Sequence, residues 1–303
     1  MEMRTCIISR LPCLIIAFTL IGSSPLAVFC ADKTSEAQVR SALKANPKSA
    51  EAWRALGLVY QHKRDLKNAE KCFKKGIALD SRSAACFESL GFLYIVRGKT
   101  EDACRCFQNA LRITPGNADD LALLGTALEM LGKPAQAEHY GMEALRHNPN
   151  CVWALVLIGD LEAARGKSAE AAIHLKKVVA IDPRSVMGWN NLGCVLTDKG
   201  DYAEAEKALN TAIKLRPDFY GAWWSMAELM DKKGDKKRTR ETARKALELA
   251  PGTPEILYQL GEFMDKTGDI EGARKARARG LAIEPDAADR LMNVPYMMEL
   301  GNH

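Results

Sequence analysis

A spacing of 34 residues runs through most of the chain and constrains the fold more than any other feature of the sequence. A turn glycine recurs at this interval from Gly98 to Gly268, and a proline recurs from Pro115 to Pro285. A small residue recurs in the same register as Gly57, Gly91, Gly125, Gly159, Gly193, Ala227 and Gly261. Seven units without an insertion therefore cover residues 50–287. Such regularity predicts an array of one repeated structural module.

Each unit has the sequence of a helix hairpin. In residues 186–219 two amphipathic runs flank Gly200, and Pro217 follows the second run. Glycine suits the left-handed conformation that ends a helix, and proline prevents the second helix from continuing. Asp201 and Glu204 have the spacing of a capping box at the start of the second helix.

Small and large apolar residues predict how the two helices of a unit pack. Gly193 on the first helix and Ala205 on the second would let the helix axes approach closely. Trp53, Trp189 and Trp223 occupy large apolar positions, and we expect them to fill the core between helices. The sequence therefore predicts an all-α fold.

The order of these residues resembles the tetratricopeptide repeat family, whose pattern is Trp-Leu-Gly-Tyr, then Ala-Phe-Ala, then Pro. The second unit shows it as Phe87, Leu90, Gly91, Tyr94, Ala103, Phe107, Ala110 and Pro115. The resemblance implies a right-handed α-solenoid, or superhelix, of helix hairpins. Its seven repeats would be residues 50–83, 84–117, 118–151, 152–185, 186–219, 220–253 and 254–287.

Residues 1–31 lie outside the repeat register and have the composition of a targeting segment. Arg4 and Arg10 precede an apolar stretch that ends at Ser-Ser-Pro, which predicts a secretory signal peptide. A retained membrane anchor through residues 11–30 and lipid attachment at Cys30 are the alternatives. All three predict an extracytoplasmic array, either periplasmic or secreted, and membrane-anchored if the segment is retained.

Two short segments are expected to cap the array. Residues 32–49 would form an N-terminal capping helix, because part of the repeat register extends into them. Residues 288–303 would form a C-terminal cap, which Pro295 interrupts. Caps cover the apolar faces that the terminal repeats of a solenoid would otherwise expose.

Composition argues against several classes of function. The net charge of +5 is too small to predict nucleic-acid binding without clustering, and the five histidines are scattered through the register. No metal site, cofactor site or catalytic constellation is recognisable, so we expect a non-enzyme. The cysteines most simply pack as small apolar residues, although a Cys72–Cys86 disulfide and a redox or metal-handling role stay open.

The resemblance also implies where a partner binds. In tetratricopeptide repeat proteins, the first helices line a concave groove through the second, fifth, ninth, twelfth and thirteenth places of each repeat. In this chain those places include Phe92, Met130, Trp153, Val156, Asp160, Met187, Asn190, Trp224, Glu228 and Asp231. The expected groove is apolar in the middle and acidic towards the C-terminal end, and suits a segment with apolar anchors and a basic tail. The alternative is ordinary packing of the aromatic residues and solvation of the acids.

These observations predict a non-catalytic scaffold of the cell envelope that binds other proteins or peptides. The alternative is a regulatory or substrate-presenting subunit of an envelope enzyme complex that processes glycans or serves secretion.

Overall fold

A computed structural model describes residues 36–284, which form fifteen α-helices and no strand. The helices are α1 Glu36–Ala45, α2 Ala50–His62, α3 Leu66–Leu79, α4 Ala84–Val96, α5 Thr100–Ile113, α6 Ala118–Met130, α7 Pro134–His147, α8 Val152–Ala164, α9 Ser168–Ile181, α10 Val186–Lys199, α11 Tyr202–Leu215, α12 Tyr220–Lys232, α13 Lys236–Leu249, α14 Pro254–Lys266 and α15 Ile270–Ile283.

The helices from α2 onwards form seven hairpins, and the two helices of each hairpin pack against each other. The first helix has 13 or 14 residues and the second has 14 residues. The prediction of an all-α array of helix hairpins is thereby confirmed. We call α2, α4, α6, α8, α10, α12 and α14 the first helices, and we call their hairpin partners the second helices.

The turn inside each hairpin requires one residue in the left-handed conformation. Gly200 has φ 89° at the end of α10, and its backbone N–H donates to carbonyls of the preceding turn. The equivalent glycines have φ between 68° and 82°, and they are Gly98, Gly132, Gly166, Gly234 and Gly268. In the first hairpin Arg64 replaces glycine and still has φ 62°. The array therefore imposes this conformation even on a residue that disfavours it.

Side-chain caps form at several helix starts, but the capping box predicted for α11 is wrong. The Ser185 hydroxyl accepts from the Gly188 N–H at the start of α10. Asp201 is the N-cap residue of α11, yet its side chain makes no capping hydrogen bond. It instead accepts from Lys199 at 2.6 Å. A lysine two residues away thus competes with the helix terminus for this carboxylate.

The small residues of the register lie where two helices of a hairpin meet. A Cβ atom built on Gly193 would stand 2.5 Å from Leu209 Cγ, and one on Gly57 would stand 2.4 Å from Phe73 Cε1. Both distances are far below van der Waals contact. Glycine is therefore required by the close approach of the helices.

Three tryptophans expected in the core have an additional role. Trp53, Trp189 and Trp223 are only partly buried. Each indole N–H donates to the carbonyl of a residue six positions earlier, namely Pro47, Pro183 and Pro217, at 2.9, 2.9 and 2.8 Å. These bonds tie a first helix to the segment that precedes it.

The chain divides between Ile181 and Asp182 into two compact units. The described part of the first unit holds α1 to α9. A continuous core within it includes Phe73, Leu93, Phe107 and Leu124. The second unit holds α10 to α15, whose fully buried side chains include Leu196, Leu209 and Met226.

The predicted terminal segments are covered only in part. Helix α1 lies within the expected N-terminal cap, and its Val39 packs with Leu56 of α2. Residues 1–31 and 288–303 lie outside the described residues, so the targeting segment and the C-terminal cap stay predictions. No helix within residues 36–284 has the length and apolar character needed to cross a membrane.

Candidate partner-binding face

All ten residues predicted to contact a partner lie on first helices, but they are divided equally between the two units. The first unit holds Phe92 on α4, Met130 on α6, and Trp153, Val156 and Asp160 on α8. The second unit holds Met187 and Asn190 on α10, and Trp224, Glu228 and Asp231 on α12.

In the first unit, two of the predicted aromatic residues contact each other. The rings of Phe92 and Trp153 have centroids 5.9 Å apart and planes at 56°. Phe92 also meets Phe107 edge to face at 5.9 Å. Phe92, Met130 and Trp153 all pack on the core of this unit, yet each stays only partly buried. Trp153 and Phe92 therefore serve the packing of the unit and also present surface to solvent.

The sequence interpretation missed one carboxyl group of this unit, that of Glu129 on α6. Glu129 occupies the twelfth place of its repeat on α6, so the register alone could have identified it. Its Oε2 atom is buried and accepts no hydrogen bond from residues 36–284. Burial and the nearby Asp160 raise the pKa of Glu129 to about 8. At neutral pH most of this group is therefore protonated.

Two more acids have raised pKa values, namely Asp120 on α6 and Glu88 on α4. Burial and the charge of Glu88 raise the pKa of Asp120 to about 7, although Thr114 donates to its carboxylate. Burial also raises the pKa of Glu88, against the opposing effect of Arg54. The apolar part of the predicted groove thus contains carboxyl groups, and it is less uniformly apolar than its sequence implies.

In the second unit, two predicted residues are inaccessible. Asn190 is 1% exposed and Trp224 is 6% exposed, so neither presents its side chain to a partner in this conformation. Their Oδ1 and Nε1 atoms have no hydrogen-bond partner among residues 36–284. Met187 and Glu228 are partly buried, and Asp231 is exposed.

Polar contacts join the first helices of the second unit. The Cys194 thiol donates to Ser225 at 3.1 Å, and Lys232 pairs with Asp198 at 3.0 Å. Both contacts connect α10 to α12. The lysine compensates the charge of Asp198, which occupies the thirteenth place of its repeat.

The cysteines of the described region are free thiols. Cys72 and Cys86, the pair left open by the sequence, are both buried and unbonded to each other. Burial raises the pKa of Cys72 to about 11 and that of Cys106 to about 12. Such thiols are poor nucleophiles and poor metal ligands because the thiolate is the reactive form. Among residues 36–284, no group of three or more His, Cys, Asp or Glu side chains is arranged to hold a metal ion.

Comparisons with known proteins agree with this architecture. Models of the tetratricopeptide repeat match residues 50–83, 123–186 and 186–219. Comparison with curated proteins gave no match.

Solved structures resemble the chain in fold at low sequence identity. A chain of the APC/C hetero-tetramer Cut9–Hcn1 has a TM-score of 0.68 and 16% identity, and the match covers 76% of this chain and 45% of that one. This chain therefore spans less than half the length of that protein. A tetratricopeptide repeat protein from Parabacteroides merdae has a TM-score of 0.58 and 19% identity, covering 80% and 97%. Pseudomonas aeruginosa pilF has a TM-score of 0.51 and 20% identity, covering 68% and 95%.

The 34-residue register, the seven helix hairpins, the left-handed turn residues and the family matches all lead to one assignment. The chain belongs to the tetratricopeptide repeat family.

Proposed function

We propose that this protein is a non-catalytic scaffold of the cell envelope that binds a segment of a partner protein on its first helices. Repeats of this family are protein-interaction modules, which supports binding of other proteins or peptides. The observation that carries the proposed site is the contact between two partly exposed rings, Phe92 and Trp153, in a unit whose first helices also carry the carboxyl groups of Glu129 and Asp160.

This combination favours a segment with a large apolar side chain followed by lysine or arginine. The apolar side chain would cover the exposed edges of the two rings, and burial of such a group contributes about 1.5–3 kcal/mol. A cation near Glu129 would favour its ionised form and satisfy the buried Oε2 atom. Binding at pH 7 would therefore release a proton, because Glu129 is mostly protonated in the free protein.

The envelope location rests on the sequence of residues 1–31, where basic residues precede an apolar stretch. Cell fractionation of the full chain with a C-terminal tag tests it, and recovery from the cytoplasm in mature, soluble form would refute it. If the partner recovered through the tag is an envelope enzyme whose activity depends on this chain, the protein is instead a regulatory or substrate-presenting subunit.

The binding site is tested with the partner recovered through the same tag. Trp153→Ala should raise the Kd by about tenfold or more, because the lost burial exceeds 1.4 kcal/mol. Ile173→Ala is the matched control, since Ile173 is 68% exposed on the second helix α9 of the same unit. Unchanged far-UV circular dichroism of both variants is required.

Glu129→Gln should abolish the proton release, which calorimetry in buffers of different ionisation enthalpy measures. Equal affinity of the Trp153→Ala variant and the parent protein would place the site elsewhere. Full proton release by the Glu129→Gln variant would exclude Glu129 as the group that loses the proton.

A further inference from the structure

The highest local concentration of positive charge lies in the second unit and begins directly after the predicted partner residue Asp231. Residues 232–245 contain eight lysines and arginines and only two acids. Most of these cations belong to α13, a second helix. The small net charge of the whole chain conceals this cluster.

Part of this charge is compensated by ion pairs within the fold. Arg238 donates to Glu206 at 2.8 Å, and Lys245 pairs with Glu248 at 2.8 Å. Arg244 makes a two-pronged contact with the Asp269 carboxylate at 2.7 and 2.8 Å. These three cations are engaged in holding helices together.

The remaining cations of α13 are exposed and form no direct ion pair, although Arg240 lies close enough to Asp269 to help lower the pKa of that carboxyl group. Lys236, Lys237 and Arg240 are exposed, and none of them forms an ion pair with a residue between 36 and 284. Lys236 and Arg240 are one turn apart and share a face of the helix. An open cleft of about 380 Å³ adjoins all three of them, together with Glu241 and Arg244.

The neighbouring helix α15 extends this surface. The contact of Arg244 with Asp269 holds α13 beside the start of α15, and Arg279 donates to the Leu247 carbonyl at 2.7 Å from its other end. Arg274 is exposed and also has no ion pair with a described residue. It lies 34 residues after Arg240, so the two cations occupy equivalent places on adjacent helices.

An exposed apolar side chain occupies an equivalent place on α15. Ile270 is 67% exposed at the start of α15, at the place equivalent to Lys236. We call the surface of Lys236, Lys237, Arg240, Ile270 and Arg274 the basic face.

We propose that the basic face binds the surface of a membrane that contains anionic lipids. Exposed lysines and arginines attract a negatively charged leaflet, and the cleft offers them a place to surround a phosphate headgroup. Ile270 can enter the boundary between headgroups and acyl chains, where an exposed isoleucine loses contact with water. This attachment is independent of the partner site, which lies on first helices.

The same residues suit nucleic acid less well. Helices α13 and α15 contain no aromatic residue on which a base could stack. An isoleucine among the cations contributes nothing to the binding of a phosphate backbone. The composition of the basic face therefore favours lipid.

The proposal is tested by sedimentation of the full chain with vesicles of phosphatidylcholine alone and of phosphatidylcholine mixed with phosphatidylglycerol. Binding to zwitterionic vesicles measures any contribution of the apolar residues 11–30. The additional binding to anionic vesicles measures the basic face, and it should fall with salt because exposed charges are screened.

The double variant Lys236→Glu, Lys237→Glu should lose about nine-tenths or more of the additional binding, as expected when polybasic attraction is removed. Both positions lie in the first turn of α13, where acidic side chains are favourable, so the helix should stay intact. The double variant Lys207→Glu, Lys214→Glu on α11 changes net charge equally and should retain the binding. Ile270→Ser should weaken the part of the binding that persists at high salt.

Equal losses in the two double variants would show that only net charge matters and would overturn the proposal. It would also be overturned if the wild-type protein bound anionic and zwitterionic vesicles equally. Binding of a DNA oligonucleotide that depends on Lys236 and Lys237, without a preference for anionic vesicles, would assign the basic face to nucleic acid instead.

Discussion

At the scale of single residues, the closest contacts of the array depend on the absence of a side chain. Gly193 faces Leu209 at a distance that leaves no room for a Cβ atom. Glycine in the middle of a helix is intrinsically unfavourable relative to alanine. The close packing of the two helices therefore outweighs the helix propensity at this position.

Gly193→Leu should lower the free energy of unfolding by about 1–3 kcal/mol, because the new side chain would overpack the contact with Leu209. Thermal melting followed by circular dichroism measures the change. Ala203→Leu is the control, since Ala203 is exposed on α11. Equal melting temperatures of the Gly193→Leu variant and the parent would mean that α10 and α11 do not approach as described.

Glu129 should make the protein less stable as the pH rises. Its folded pKa of about 8 lies above the ordinary value of 4.5, so the folded state favours the protonated form. Stability linked to this group is complete below pH 4.5 and is lost as the pH rises towards and through 8. Each pKa unit corresponds to about 1.4 kcal/mol.

Glu129→Gln should therefore leave stability nearly unchanged at pH 5 and raise it by roughly 1–4 kcal/mol at pH 9. Denaturant unfolding at the two pH values measures the difference. Glu170→Gln, an exposed position on α9, is the control for loss of a carboxyl group elsewhere in the same unit. A stabilisation of equal size at pH 5 and pH 9 would exclude ionisation as its cause.

At the scale of the element, the turn within each hairpin determines where the first helix ends. Gly200 has φ 89°, and a Cβ atom there would meet nothing within 4 Å. The requirement for glycine at this position is therefore conformational rather than steric. It contrasts with Gly193, where space is the limit.

Gly200→Ala should destabilise the protein by about 1 kcal/mol, the approximate cost of a left-handed alanine, whereas Gly200→Asn should cost less. Chemical denaturation of the two variants shows which of them is less stable. A more stable alanine variant would mean that the turn adopts another conformation when glycine is absent.

The hydrogen bonds from tryptophan indole groups to proline carbonyls also stabilise individual elements. Trp189 donates to Pro183 across the start of α10, and the equivalent bonds recur in two other hairpins. Trp189→Phe keeps most of the apolar surface but leaves the Pro183 carbonyl without this donor. The expected loss is about 0.5–1.5 kcal/mol, measured by thermal melting. No loss would indicate that water replaces the indole N–H without cost.

At the scale of the whole molecule, stability comes from contacts between successive helices. Within each unit, second helices pack on the first helix of the next hairpin, as α3 does on α4 and α11 does on α12. Such arrays gain stability by adding neighbours.

Chains that end at residue 253 and then at residue 219 should lose helicity and unfolding free energy step by step. Circular dichroism gives the helicity, and denaturant titration gives the stability of each shortened chain. A complete loss of helicity after removal of α14 and α15 alone would contradict nearest-neighbour stability.

The sequence alone determined the class of fold and the length of its module. Each hairpin requires glycine in its left-handed turn, small residues at its helix contact and proline after its second helix. Because the hairpin repeats, these residues recur in the sequence at a fixed interval. The same register identified the first helices as the elements that carry Trp153 and Asp160.

Only the tertiary structure decided which of those side chains are accessible and charged. Trp224 is covered in the second unit, Phe92 meets Trp153 from a helix two repeats earlier, and the pKa of Glu129 rises to about 8. Burial and pKa depend on atoms that distant segments contribute in space. A repeat assigns each residue a place on its helix, but the neighbours that surround that place differ from one repeat to the next.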